Sequence, residues 1–254
     1  MLKSERQRAI RETIRRGGSV SAAAMAAQLG VSPETVRRDL IELENEGLLH
    51  RVHGGAVPEA AFKPFHGLKE RNSEHIAEKT ELAVTAMRFI AEGDTIGVDI
   101  GSTAIPFARE LCRRFDHLTV ITHSLDVFNI LATRPGFRIL LCGGEFDREE
   151  NIFTGALAEN ALRDLRMQKS FVFPYSVSLA FGICDHLMPS AALQRQYMTN
   201  AEQVFVLADS SKFEKRALIR NDDMRSDYVY VTDSGLAPEL AEYYRQNGRT
   251  VITG

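Results

Sequence analysis

The strongest constraint on this chain is a glycine that separates two helical segments near its N-terminus. An apolar segment from Val20-Ser21-Ala22 through Leu29 reads as a short helix and stops at Gly30. A second helix follows, with Ser32 as N-cap and Pro33 at its first position, where a missing N–H costs nothing. Val36, Leu40 and Leu43 share one face of it and can pack inward, while Thr35, Arg37 and Arg38 point elsewhere. This is the layout of a helix-turn-helix, whose second helix enters the major groove of DNA.

Flanking residues complete a winged helix-turn-helix domain over residues 1–57. Ser4 to Arg16 reads as an amphipathic helix with Ile10 and Ile14 inward, and Gly47 ends the recognition helix after Glu46. Leu48 to Ala56 fits a β-hairpin wing with Arg51 and His53 near phosphates. Residues 1–57 hold nine Lys and Arg against seven Asp and Glu, a net of +2; the other 197 residues hold 22 against 27, a net of −5. A mildly basic head therefore sits on an acidic body. Arginines on a helix are usually just solvated. Three helices, a glycine turn, a Ser-Pro cap and a Gly-Gly wing together are far more specific. The expected contacts to double-stranded operator DNA are Ser32, Thr35, Arg37, Arg38, Arg51 and His53.

Hydrophobic residues make up 44% and charged residues 26% of the chain, ordinary values for a globular protein. No apolar run approaches a membrane span, and the N-terminus lacks the apolar stretch of a signal peptide. Cys112, Cys142 and Cys184 are odd in number and carry no zinc spacing. A cytoplasmic protein with reduced thiols is expected, without metal, cofactor or membrane partner.

Residues 58–74 read as a linker, interrupted by Pro58, Pro64, Gly67 and clustered charges. Residues 75–254 read as an effector-binding and oligomerisation domain. A helix over 74–91 opens it. Short apolar runs follow at Thr95–Ile100, Leu118–Thr122, Arg138–Cys142, Ser170–Val177, Gln203–Ala208, Tyr228–Thr232 and Thr250–Ile252. Helical stretches near 104–114, 125–134, 155–167, 190–201 and 238–247 lie between them. Such alternation argues for an α/β domain with a largely parallel sheet.

Ligands of these sheets bind beyond the carboxyl ends of the strands, and polar turns stand there. Asp99 precedes Gly101-Ser102-Thr103, whose N–H groups and hydroxyls can hold a phosphate at a helix N-terminus. Ser102 is expected at a surface-lying strand end. The next strand ends in His123-Ser124, the third in Gly143-Gly144-Glu145, and a later one in Asp209-Ser210-Ser211-Lys212. Asp99 and Glu145 can hold hydroxyls, Lys212 can meet an anion, and His123 can make binding pH-sensitive if its pKa stays near neutral. The structural alternative is a set of ordinary capped turns.

These residues resemble the DeoR family of bacterial transcriptional regulators over nearly the whole chain. The resemblance rests on Val31 to Leu40, His53-Gly54-Gly55-Ala56, Glu78-Lys79, Asp99 to Thr103, Gly143-Gly144-Glu145, Gly155 and Leu207 to Phe213. It implies a winged helix-turn-helix followed by an α/β sensor domain similar to ribose-phosphate isomerase and coenzyme A transferase folds. It also implies repression of carbohydrate or polyol genes, with a phosphorylated sugar-type effector. The chain departs from the family pattern in three places. Ser190 and Gln194 replace a Glu and a Lys four residues apart, His123 replaces an Asn, and Phe173-Pro174-Tyr175-Ser176-Val177-Ser178 replaces a Gly-rich run. Either the Ser190/Gln194 helix lines the pocket and alters sugar recognition, or it faces solvent and drifts.

Three function classes follow: a ligand-responsive repressor, a sugar-phosphate isomerase or transferase-like enzyme with a DNA-binding head, and a constitutive DNA binder. No nucleophile–base pair is visible in the sequence, and the polar strand ends argue against a constitutive binder. One winged head buries little surface, so paired half-sites and a homo-oligomer, dimer or tetramer, are expected.

Overall fold

Ile10 and Ile14 lie one helical turn apart and set the first element. In the computed structural model, which describes residues 3–17, 20–46, 48–52, 55–58 and 67–254, both are buried on α1 (Lys3–Gly17). The second helix starts later than the sequence suggests. Val20–Ser21 form a short strand, β1, and α2 spans Ala22–Leu29 with the Ser21 hydroxyl accepting from the Ala24 N–H. Gly30 adopts φ 64°, the left-handed cap that ends α2. The helix expected to enter the major groove, α3, spans Pro33–Asn45. Strands β2 (Leu49–Val52) and β3 (Gly55–Pro58) pair antiparallel, and β1 joins β3 through Val20↔Ala56. β1 was missed because two residues carry no periodicity. Gly47, His53 and Gly54 lie outside the described residues. Ile10, Met25, Val36, Leu40, Leu43 and Leu49 form the head's core. Each such side chain contributes roughly 1.5–3 kcal/mol when fully buried.

The chain divides into two compact units, residues 1–65 and 66–254. The second begins with α4 (Leu68–Arg71), a helical turn inside the expected linker, and α5 (Ile76–Ala86). Then come β4 (Thr95–Val98), α6 (Ala104–Arg114), β5 (Thr119–Thr122), α7 (Leu125–Leu131) and β6 (Arg138–Leu141). A hairpin of β7 (Glu145–Asp147) and β8 (Ile152–Thr154) leads to α8 (Gly155–Arg163) and β9 (Met167–Val172). Next are β10 (Ser176–Ser178), β11 (Gly182–Asp185), α9 (Met188–Asn200) and β12 (Ala201–Leu207). The chain closes with β13 (Ile219–Asp222), β14 (Val229–Thr232), α10 (Pro238–Gln246) and β15 (Thr250–Thr253).

Seven of these strands form a parallel sheet in the order β15-β14-β12-β9-β4-β5-β6. One apolar core packs on each face, the first around Leu82, Phe107 and Phe171, the second around Leu193, Tyr197 and Tyr230. Strand order reverses between β4 and β9, which makes their carboxyl ends the topological switch point where such sheets bind ligands. The run Ser170–Val177, expected as one strand, is two. β9 stops at Val172, and β10 joins a small antiparallel sheet with β11 and β13. Pro174 between them has no N–H for a ladder. No helix among the described residues is long and apolar enough to cross a membrane.

Candidate functional site

In the head, the Ser32 side chain accepts from the Thr35 N–H at 3.2 Å, and the two hydroxyls lie 2.9 Å apart. The cap fixes the start of α3, and Pro33 follows it. Val36, Leu40 and Leu43 are buried, so Arg37 and Arg38 are left on the exposed side. The exposed Arg37–Glu34 pair, at 3.3 Å, is worth little and leaves the guanidinium available. Arg51 is engaged differently: its backbone N–H and its Nε both reach Glu44 of α3, at 2.8 and 2.7 Å. That contact ties wing to helix. Sequence reasoning missed Asp39, which is buried beside the apolar face and takes Arg6 Nε and Nη2 at 2.7 and 3.0 Å. An acidic residue three positions after Val36 was the available signal.

In the second unit, the switch point gathers chemistry from distant parts of the chain. Asp99 follows β4 and is fully buried. Its Oδ2 accepts from Gln194 Nε2 at 2.7 Å and from the Phe173 N–H at 3.5 Å. Burial, opposed by these donors, raises its pKa to about 7. Gly101 holds φ 121°, a conformation that L side chains rarely adopt, and turns the chain into α6. Ser102 and Thr103 are buried in that turn. The surface position expected for Ser102 is therefore corrected: the residue is buried.

His123 is also fully buried. Its ring stacks on Tyr197 with centroids 5.5 Å apart, and Nδ1 lies 3.2 Å from the Tyr197 hydroxyl. Desolvation lowers its pKa to about 3, so it is neutral at physiological pH. The pH-sensing role that depended on a near-neutral pKa is thereby overturned. Ser124 caps α7, accepting from the Val127 N–H at 3.3 Å. Gly143, Gly144 and Glu145 lead into the β7–β8 hairpin, whose Phe153 N–H donates to the His123 carbonyl. They follow the edge strand β6, two strands from β4, and Glu145 is exposed at the start of β7.

Lys212 reaches the switch point from beyond β12, and its Nζ donates to the Pro174 carbonyl at 2.9 Å. Burial lowers its pKa against the pull of Asp209. Burial works to raise the Asp209 carboxyl, but Lys212 and the Ser211 hydrogen bond outweigh it and hold it low. Lys79 adds another ammonium, itself buried and lowered to about 8 by burial and by Lys212. Its Nζ donates to the carbonyls of Arg71 and Glu74. Lys79 and Asp209 lay inside motifs already singled out, but without assigned roles. Asp185 and Glu150, both buried and both raised by burial, were not legible at all.

Ser190 and Gln194 are buried in α9. Gln194 bridges Asp99 and Asn221, accepting from Asn221 Nδ2 at 2.6 Å. The solvent-facing alternative for this helix face is excluded. Among the described residues, Asp99 Oδ1, Thr103 Oγ1, His123 Nε2, Glu150 Oε1, Ser176 Oγ, Asp209 Oδ2 and Asn221 Oδ1 are buried and have no hydrogen-bond partner.

Residues 6–59 match the DeoR-like helix-turn-helix domain, and residues 74–234 match the DeoR C terminal sensor domain. The chain belongs to the DeoR family. The lactose phosphotransferase system repressor of Lactococcus lactis is 32% identical over 97% of each chain. The L-fucose operon activator of Haemophilus influenzae is 30% identical over 95% of this chain and 96% of its own. A partial likeness to ribose 5 phosphate isomerase A from Neisseria gonorrhoeae has a TM-score of 0.42 at 16% identity, covering 59% of this chain and 57% of that one. This DeoR-family chain therefore pairs a DNA-binding head with an α/β sensor on a parallel sheet.

Proposed function

We propose that this DeoR-family regulator is a repressor of carbohydrate or polyol catabolic genes, released from operator DNA by a phosphorylated sugar-type effector bound at the switch point. The observation that carries this reading is a set of buried acceptors without a partner among the described residues, Asp99 Oδ1, Glu150 Oε1, Asp209 Oδ2 and Asn221 Oδ1, together with the ammonium groups of Lys79 and Lys212, whose charges both bear on Asp209. An unsatisfied buried polar group costs about 1–3 kcal/mol. A ligand rich in hydroxyl donors satisfies the acceptors, and its anionic group satisfies the cations. The phosphate sits at Gly101-Ser102-Thr103 with Lys212; Asp99 holds a hydroxyl, and His123 offers Nε2 as a neutral acceptor or donor. Ser124 and Gly143-Gly144-Glu145 act at the margin of this site. The names of the relatives, a lactose phosphotransferase system repressor and an L-fucose operon activator, agree with a carbohydrate signal.

Residues 1–57 bind DNA through Ser32, Thr35, Arg37, Arg38, Arg51 and His53; residues 58–74 connect; residues 75–254 bind effector and assemble a dimer or tetramer. The effector acts by linkage, preferring the weakly DNA-binding arrangement. Binding without turnover is the favoured reading, because the relatives are named as regulators. Calorimetry with hexose and pentose phosphates against their dephosphorylated parents tests the reading. Equal affinity for both sets rejects the phosphate, and conversion of any sugar phosphate by the purified chain restores the enzyme.

A further inference from the structure

α4 brings a guanidinium to the switch point from outside the sheet. Leu68 buries the turn, and Lys79 clamps its end by donating to the Arg71 carbonyl at 2.5 Å and the Glu74 carbonyl at 2.6 Å. The Arg71 side chain, largely buried, forms an ion pair with Glu150, 79 residues away. A Cβ built on Gly101 would stand 4.0 Å from Arg71 Nη1, so the guanidinium lies against the very turn read above as the phosphate seat. Its charge also bears on Lys79, Lys212, Asp185, His186 and Tyr175. Glu150 keeps one buried oxygen without a partner among the described residues.

We propose that Arg71 is an effector-contacting residue and the coupling element of this protein: an anion at Gly101-Ser102-Thr103 takes its guanidinium from Glu150, and the exchange shifts α4. This rests on the reading of that turn as an anion site. A guanidinium fork matches phosphate as well as carboxylate, so the two compete for one partner. Such competition gives two discrete arrangements of α4, which directly follows in sequence the segment leading from the DNA-binding head. Occupancy of the site is thereby converted into backbone displacement at the start of the second unit.

Titration of the full chain with inorganic phosphate tests this. Arg71→Gln is expected to weaken phosphate at least tenfold, and Arg71→Lys, which keeps charge but loses the fork, to fall between. Glu150→Gln is expected to strengthen phosphate several-fold, and that gain disappears in the Arg71→Gln/Glu150→Gln double variant. Hydrogen exchange over residues 68–75 changes with phosphate in the wild type and in Glu150→Gln, but not in Arg71→Gln. If the ion pair merely fastens α4, the two single substitutions act in the same direction, or their effects add, and the proposal falls. If Ser102→Ala weakens phosphate while Arg71→Gln does not, the anion site stands and the coupling role is lost. If neither the wild type nor Glu150→Gln binds phosphate, both are overturned.

Discussion

Charge on this protein takes its meaning from burial. Arg37 and Arg38 are exposed, opposite the Val36/Leu40/Leu43 face. Replacing both with Ala is expected to abolish specific operator binding in gel shifts while leaving the melting temperature within a degree or two. An unchanged affinity rejects α3 as the reading helix. A contact to phosphate alone lowers the salt slope by about one unit when removed. Asp99 and His123, both buried, respond to pH in opposite senses. Asp99 titrates near 3.8 unfolded and about 7 folded, so its contribution to stability is full below 3.8 and lost as pH rises to 7. His123 titrates near 6.5 unfolded and about 3 folded, so its contribution is full above 6.5 and lost as pH falls to 3. The two nearly cancel in the wild type. Asp99→Asn separates them: its stability relative to wild type is expected to rise between pH 4 and 7, by up to about 4 kcal/mol at 1.36 kcal/mol per unit, and then level off. A flat difference across denaturant titrations in that range means that Asp99 titrates normally.

Elements are positioned by a few close approaches. Gly97 in β4 is one: an added Cβ would stand 2.7 Å from Tyr197 Cδ1 and would also strike Met167 Sδ. The bare backbone lets α9 settle on the sheet, which in turn places Tyr197 against His123 and Gln194 against Asp99. Gly97→Ala is expected to destabilise the fold by about 1–3 kcal/mol through overpacking and to weaken effector binding along with it. Thermal melts and calorimetry on the same variant check both. A loss of stability without any loss of binding disconnects α9 from the site. In the head, Ser32→Ala is expected to cost about 1 kcal/mol of stability, because the first turn of α3 loses its cap.

At the scale of the molecule, the proposed function makes effector binding and DNA binding separate functions joined by an equilibrium. Ser102 is buried, so an Asp placed there would meet a desolvation cost as well as repel phosphate. Ser102→Ala is the cleaner probe. Its operator affinity without effector is expected to match wild type, while release by a sugar phosphate needs about tenfold more of it. A variant that loses DNA binding while retaining effector binding contradicts this division of labour.

The sequence by itself determined the helices of the head and the buried face of α3. A helix-turn-helix is local: its cap, its glycine turn and its apolar face all lie within some twenty positions, so periodicity and capping chemistry reveal it. It likewise determined the alternation of the second unit and the polar turns at its strand ends. Tertiary structure alone decided which of those turns meet. β9 returns beside β4, so Asp99, Phe173 and Pro174 become neighbours, and Lys212, Gln194 and Arg71 arrive from elements up to about a hundred residues away. The Gly143-Gly144-Glu145 turn has an equally suggestive pattern, yet it falls at the sheet's edge. Strand order, and with it the burial that shifts Asp99 and silences His123, is a non-local property with no trace in local spacing.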